Sequence, residues 1–173
     1  MIAERRACIG VPTGPVHVFG SLKLDMGKIF VLDPVAIEDL LRTALVGRIA
    51  CCDHGVAGGG GRPFLVPLAY GYDGESVYAF SPPGRKVHTM RRQPLVSFEV
   101  DTAVAADRWS SVIADATYEE LTTEEDRRRG LEIVANGGPL PDVTAETIVY
   151  RLRLTSKSGR FEVPDEEAHL YSE

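Results

Sequence analysis

A chain of 173 residues is long enough to bury a substantial core and short enough for a single domain. With 44% hydrophobic and 25% charged residues it has a globular composition, which excludes a disordered or fibrous chain. The formal net charge of −6 repels phosphate backbones, so nucleic acid is excluded as a partner and any phosphate site must be a local feature. No apolar run reaches the span of a transmembrane helix, and residues 1–10 lack a long apolar region with a cleavage site. The expectation is a soluble, cytoplasmic protein without a membrane partner. Cys8, Cys51 and Cys52 are odd in number, and the last two are adjacent on a strand-like segment, where they diverge; this reads as reduced thiols rather than a disulfide framework. Cys51, Cys52, Asp53 and His54 have no second ligand pair to complete a metal site.

Residues 1–32 are interrupted by Gly and Pro, with short alternating stretches at Val16–Phe19 and Lys28–Leu32 that suit an arm or an extra hairpin. Asp33-Pro34 is a helix start: the carboxylate can accept from free backbone donors, and proline suits the first turn. Ile37, Leu40, Leu41, Ala44 and Leu45 then give one apolar helical face ending near Gly47. From Arg48 the period changes. Arg48–Cys52, Pro63–Tyr72, Ser76–Ser81 and Leu95–Val100 are rich in β-branched and aromatic residues and read as antiparallel strands. The run Gly58–Gly61 joins the first two as a flexible loop. It lacks the Lys-Ser or Lys-Thr that a phosphate loop requires. Asp73-Gly74 makes a tight hairpin turn.

A short helix, Arg85–Arg92, is opened by Pro83-Gly84 and stopped by Pro94. Trp109–Leu121 is a long alternating strand. Thr123 and Asp126 make a box-like start for a helix ending at Gly137-Gly138-Pro139, whose Arg127–Arg129 run, preceded by Glu124, Glu125 and Asp126, is a solvated face with intrahelical pairs. A last strand spans Thr147–Leu154. The architecture expected is mainly β with short helices: about six antiparallel strands in a closed or partly closed barrel. Residues 33–163 form the domain and 164–173 a tail.

One stretch concentrates chemistry. In Ser81-Pro82-Pro83-Gly84-Arg85-Lys86 a strand ends, the backbone turns, and two adjacent cations open a helix whose free N–H groups already favour an anion. Cations are usually less favourable than anions at that end, which tips the balance from a solvated basic turn towards a phosphate site. His88 lies one turn further on and reads either as a surface histidine or as a group near the phosphate or substrate. His17 and His169 have no evident partners.

The succession Val46-Gly47-Arg48-Ile49-Ala50, Pro63-Phe64-Leu65-Val66-Pro67-Leu68, Val77-Tyr78-Ala79-Phe80-Ser81, Gly84-Arg85-Lys86, Gln93–Val100 and Trp109-Ser110-Ser111-Val112 resembles the pyridoxamine 5'-phosphate oxidase-related flavin proteins, particularly their nitroimidazole-resistance branch, over residues 33–160. The resemblance implies an FMN-binding split β-barrel. It assigns Gly84, Arg85 and Lys86 to the FMN phosphate, and Val66, Pro67 and Leu68 to the edge of the isoalloxazine ring. Phe80 and Ser81 lie beside the ring or phosphate, and Trp109, Ser111 and Val112 are on a strand reaching the cofactor. It further implies a homodimer with the cofactor at the interface and an oxidoreductase of a small-molecule substrate. A non-catalytic carrier of flavin, heme or deazaflavin is the alternative. No catalytic residue is assigned and no metal is expected. Lys157-Ser158-Gly159-Arg160 resembles the family's basic ending. Two departures narrow the activity. Phe80 stands where nitroimidazole reductases of the branch carry histidine, and the ending Glu166–Tyr171 lacks the segment that grips pyridoxal phosphate in the oxidase proper.

Overall fold

The computed structural model describes residues 27–53 and 62–171. The expected stretch at Val16–Phe19, the Gly58–Gly61 loop, Cys8, His17 and His54 lie outside these residues. Strands β1 (Lys28–Val31), β2 (Gly47–Asp53), β3 (Arg62–Leu68), β4 (Gly71–Tyr72), β5 (Ser76–Ser81), β6 (Leu95–Ala105), β7 (Arg108–Glu120) and β8 (Ile148–Val163) build one antiparallel sheet. Its order is β3-β2-β6-β7-β8-β5-β4, with β1 added to the far end of β8. Eight strands replace the six expected. Lys28–Val31 pairs with Arg160–Val163, and the stretch Pro63–Tyr72 is divided after Leu68. β8 runs to Val163 rather than Leu154, because β7 offers it a partner along its whole length, with one irregularity at Asp115/Ala116.

The helices form where local caps dictate. In α1 (Pro34–Thr43) the Asp33 carboxylate accepts from the Ala36 N–H at 2.9 Å, and Pro34 sits in the first turn. The helix ends at Thr43, so Leu45, expected on its apolar face, is instead 86% exposed. α2 spans Arg85–Arg92, as the flanking prolines predict. α3 spans Glu124–Ala135. The Thr123 hydroxyl accepts from the Asp126 N–H at 3.1 Å, and Asn136, in left-handed conformation at φ 46°, closes the helix before Gly137. A 3-10 helix, Asp165–Leu170, follows β8, and Arg108 anchors it by a forked pair with Glu167.

The two faces of the β5–β8 pair bury separate cores. Val77, Ala79, Tyr150 and Leu152 point to the main core, which Ile37, Leu40 and Leu41 of α1 and Met90 of α2 complete around Ile49, Phe98 and Val112. Tyr78 and Val149 point the other way, against Leu121 and Leu131, where α3 covers the sheet. Period-two alternation accounts for this split. β3 is a terminal strand of the sheet, which is why Pro63 and Pro67, lacking ladder donors, are accommodated in it.

Candidate site at the start of helix α2

β5 ends at Ser81, the chain turns over Pro82–Gly84, and α2 begins at Arg85. Gly84 occupies the cap position with no side-chain hydrogen bond, and no acidic residue lies in the first turn. The first N–H groups of the helix therefore have no protein carboxylate or hydroxyl cap. The Gly84 backbone is extended, and a Cβ built there would meet nothing within 4 Å, so the space over the turn is open.

Arg85 and Lys86 each lie over an aromatic ring. The Arg85 guanidinium carbon is 4.5 Å from the centroid of Phe64 on β3, and the Lys86 Nζ is 5.5 Å from that of Tyr150 on β8. Neither cation forms an ion pair with a carboxylate among the described residues, whereas Arg48, Arg91, Arg108, Arg151 and Lys157 all do. Arg85 is exposed and Lys86 half-buried. Burial pulls the titration of Lys86 below the ordinary lysine value, partly offset by the Cys51 thiol. Burial likewise pushes the Cys51 thiol up to about 11, so this sulfur is an inert thiol rather than a nucleophile.

Three buried hydroxyls in this region have no hydrogen-bond partner among the described residues: Ser81 Oγ, Thr89 Oγ1 and Tyr150 OH. Buried polar groups are normally satisfied, so this concentration marks polar space beneath the turn. Ser81 is the last residue of β5, opposite Ile148. Tyr150 lies opposite Ala79, two residues earlier on the same face of that strand. Thr89 is on the inner side of α2, buried beside Met90.

The other expected site residues are distributed as follows. On β3, Val66 and Leu68 face inward against the main core with Phe64, while Pro67 is exposed and lies opposite Arg48. Phe80 is on the opposite face of β5 from Ser81 and packs against the cluster of Tyr78, Leu121, Leu131 and Val149, so it is not gathered with the α2 cations. Trp109 is at the start of β7, its indole N–H donating to Glu162. Ser111 donates to Glu99 at 3.3 Å, which with Asp101 binds Arg48 on the outer face of the sheet. Val112 is wholly buried in the core. His88 is exposed. The residues that bring Arg85 and Lys86 into a defined place, Phe64 and Tyr150, are assigned no site role from the sequence, although Phe64 lies in a stretch that carries the family resemblance. Only the alternation of β3 and β8 marks their faces.

A cleft of about 480 Å³ on the outer side of the sheet is lined by Ala50, Cys52, Pro63, Leu95, Ser97 and Asp115, among others. None of the expected cofactor residues lines it. Among the described residues there is no cluster able to hold a metal ion, and no helix long and apolar enough to cross a membrane.

Residues 33–161 match the family model described as pyridoxamine 5'-phosphate oxidase, and the chain belongs to that family. A crystal structure of an FAD-binding protein from Mesorhizobium loti is 30% identical, with a TM-score of 0.60, covering 77% of this chain and 97% of its own. A protein put forward as a 5-nitroimidazole antibiotic resistance protein of Bacteroides thetaiotaomicron is similar in fold at 19% identity, TM-score 0.64, covering 78% of this chain and 87% of its own. An uncharacterized protein of Rhizobium meliloti is 34% identical over 76 residues. The match spans 44% of this chain and under half (46%) of that relative.

Proposed function

We propose that the chain binds FMN, with the cofactor phosphate at the start of α2, and acts as an oxidoreductase on a small-molecule substrate. The observation that carries this reading is the pair Arg85 and Lys86. They are adjacent cations without carboxylate partners, at a helix start with uncapped N–H groups, in a protein of net charge −6. Such a cradle favours a dianionic phosphate by charge and by hydrogen-bond geometry together. The open space over Gly84 and the orphan hydroxyl of Ser81 fit the same group.

Bound flavin supplies the hydride or electron transfer, and the protein's residues bind and orient it. Gly84, Arg85, Lys86 and Ser81 hold the phosphate. The family resemblance supports assigning the ring edge to the backbone of Val66, Pro67 and Leu68 on terminal strand β3, whereas Trp109, Ser111 and Val112 lie on the more distant β7, with Val112 buried in the core. Assembly as a homodimer is supported by the outer face of β3, β6 and β7, where Leu65, Leu95 and Ile113 are 61%, 63% and 53% exposed; a cofactor between copies rests on the family resemblance. The Mesorhizobium protein is FAD-binding, which favours FAD as the second reading, since its flavin-proximal phosphate poses the same demand on Arg85 and Lys86.

The visible spectrum of the freshly purified chain tests the cofactor class, and chromatography of the released chromophore separates FMN from FAD. Flavin bands bleached by reduced nicotinamide support a reductase, bands that persist support a carrier, and a heme spectrum overturns the reading. Gel filtration showing a flavin-loaded monomer would remove the dimer.

A further inference from the structure

We infer that Tyr150 is a positioning residue for the anion site: its ring face holds the Lys86 ammonium in place without neutralising it. The inference rests on the phosphate reading of Arg85 and Lys86. Tyr150 comes from β8, far in sequence from the Gly84-Arg85-Lys86 turn, and reaches the site because β8 pairs with β5 at Ala79. Its side chain is wholly buried, so the ring is fixed by core packing, with the Tyr118 ring tilted against it at a centroid distance of 5.3 Å. Nζ of Lys86 lies within cation–π range of the ring, at 5.5 Å.

A half-buried ammonium needs some stabilisation, and proteins commonly supply a carboxylate. A carboxylate here would cancel the charge and compete with an incoming phosphate. A π-face attracts the ammonium yet leaves its three N–H donors and full charge available to an anion. The long lysine side chain is also confined before the ligand arrives, which lowers the ordering cost of binding. Among the described residues Tyr150 OH has no hydrogen-bond partner, so it is the ring face and not the hydroxyl that holds Lys86.

The test is the ratio of FMN to riboflavin affinity, because riboflavin lacks the phosphate and reports ring binding and folding alone. The full-length chain carries Tyr150→Phe, then mono-, di- and trifluorinated phenylalanine at the same position, a series that weakens the π-face while keeping the shape. Tyr150→Phe should retain the ratio, and successive fluorination should lower it stepwise. Tyr150→Leu should lower it by about two- to thirtyfold, the range of a partly desolvated cation–π contact. In a Lys86→Met background the series should be flat. A ratio unchanged or raised by fluorination, or a slope that survives Lys86→Met, overturns the inference. Wild-type protein that binds FMN no better than riboflavin instead overturns the phosphate reading itself.

Discussion

The guanidinium of Arg85 stacks over the ring of Phe64, 4.5 Å from its centroid, tying the first residue of α2 to terminal strand β3. This contact joins the two segments expected to hold opposite ends of the cofactor, the phosphate and the isoalloxazine ring. Because Arg85 is exposed, the contact is worth about 0.5 to 1 kcal/mol. Phe64→Leu should therefore weaken FMN binding by a few-fold and leave riboflavin binding unchanged, measured by flavin fluorescence titration. Equal loss for both ligands would show that Phe64 serves the ring or the fold instead.

Gly84 is a cap residue without a capping side chain, facing open space. Gly84→Ser places a hydroxyl where it can accept from the N–H of Lys86 or Val87. Thermal unfolding of the flavin-free protein should show a gain of a few tenths of a kcal/mol. FMN affinity should fall, because the same donors are then occupied. A variant with unchanged FMN affinity would place the phosphate elsewhere.

Thr89 is 1% exposed, and among the described residues its hydroxyl has no partner. Thr89→Val keeps the shape and removes the orphan oxygen. Chemical denaturation should show no loss, or a gain of up to about 1 kcal/mol. A loss of more than about 1 kcal/mol would mean that an internal water satisfies the hydroxyl.

Acid stability should depend on the hairpin turn after β4. Burial raises the titration of Asp73, but donors from the Glu75 and Ser76 backbone and the Tyr78 hydroxyl outweigh it and hold the carboxyl below the ordinary aspartate value. A folded value below the unfolded one gives stability that is present above the unfolded value and lost as pH falls through the folded one. Tyr78→Phe removes one donor, so the stability difference between wild type and variant should shrink as pH is lowered from 6 towards 2. A difference constant across that range would refute the linkage.

Much of this fold was legible because its signals are local. Asp33-Pro34, Pro94 and the Thr123–Asp126 box each act within a turn, and all three helices form where those residues place them. Local signals also misled at Leu45, whose helical spacing continues after the chain has turned out of α1. The far half of β8 was illegible. Thr155–Arg160 is mostly polar, since Thr155 to Ser158 are exposed on both faces, and pairing with the distant β7, joined by β1 at Arg160, makes it a strand. The site divides in the same way. Gly84, Arg85 and Lys86 stand together in sequence and announced an anion site, whereas Phe64 and Tyr150 are brought beneath them by strand pairing alone. Phe80 immediately precedes Ser81 in sequence but, by alternation, faces α3 rather than the cations.

The most direct test of the central claim compares FMN with riboflavin in the wild-type chain and in the combined Arg85→Ala, Lys86→Ala variant. Charge-assisted contacts to phosphate contribute about 1.5 to 3 kcal/mol each, so wild type should prefer FMN by roughly a hundredfold or more. The double variant should lose most of that preference, keeping only what the N–H groups at the start of α2 and Ser81 supply. Equal affinities in the wild type, or an FMN preference undiminished by loss of both cations, would contradict the account.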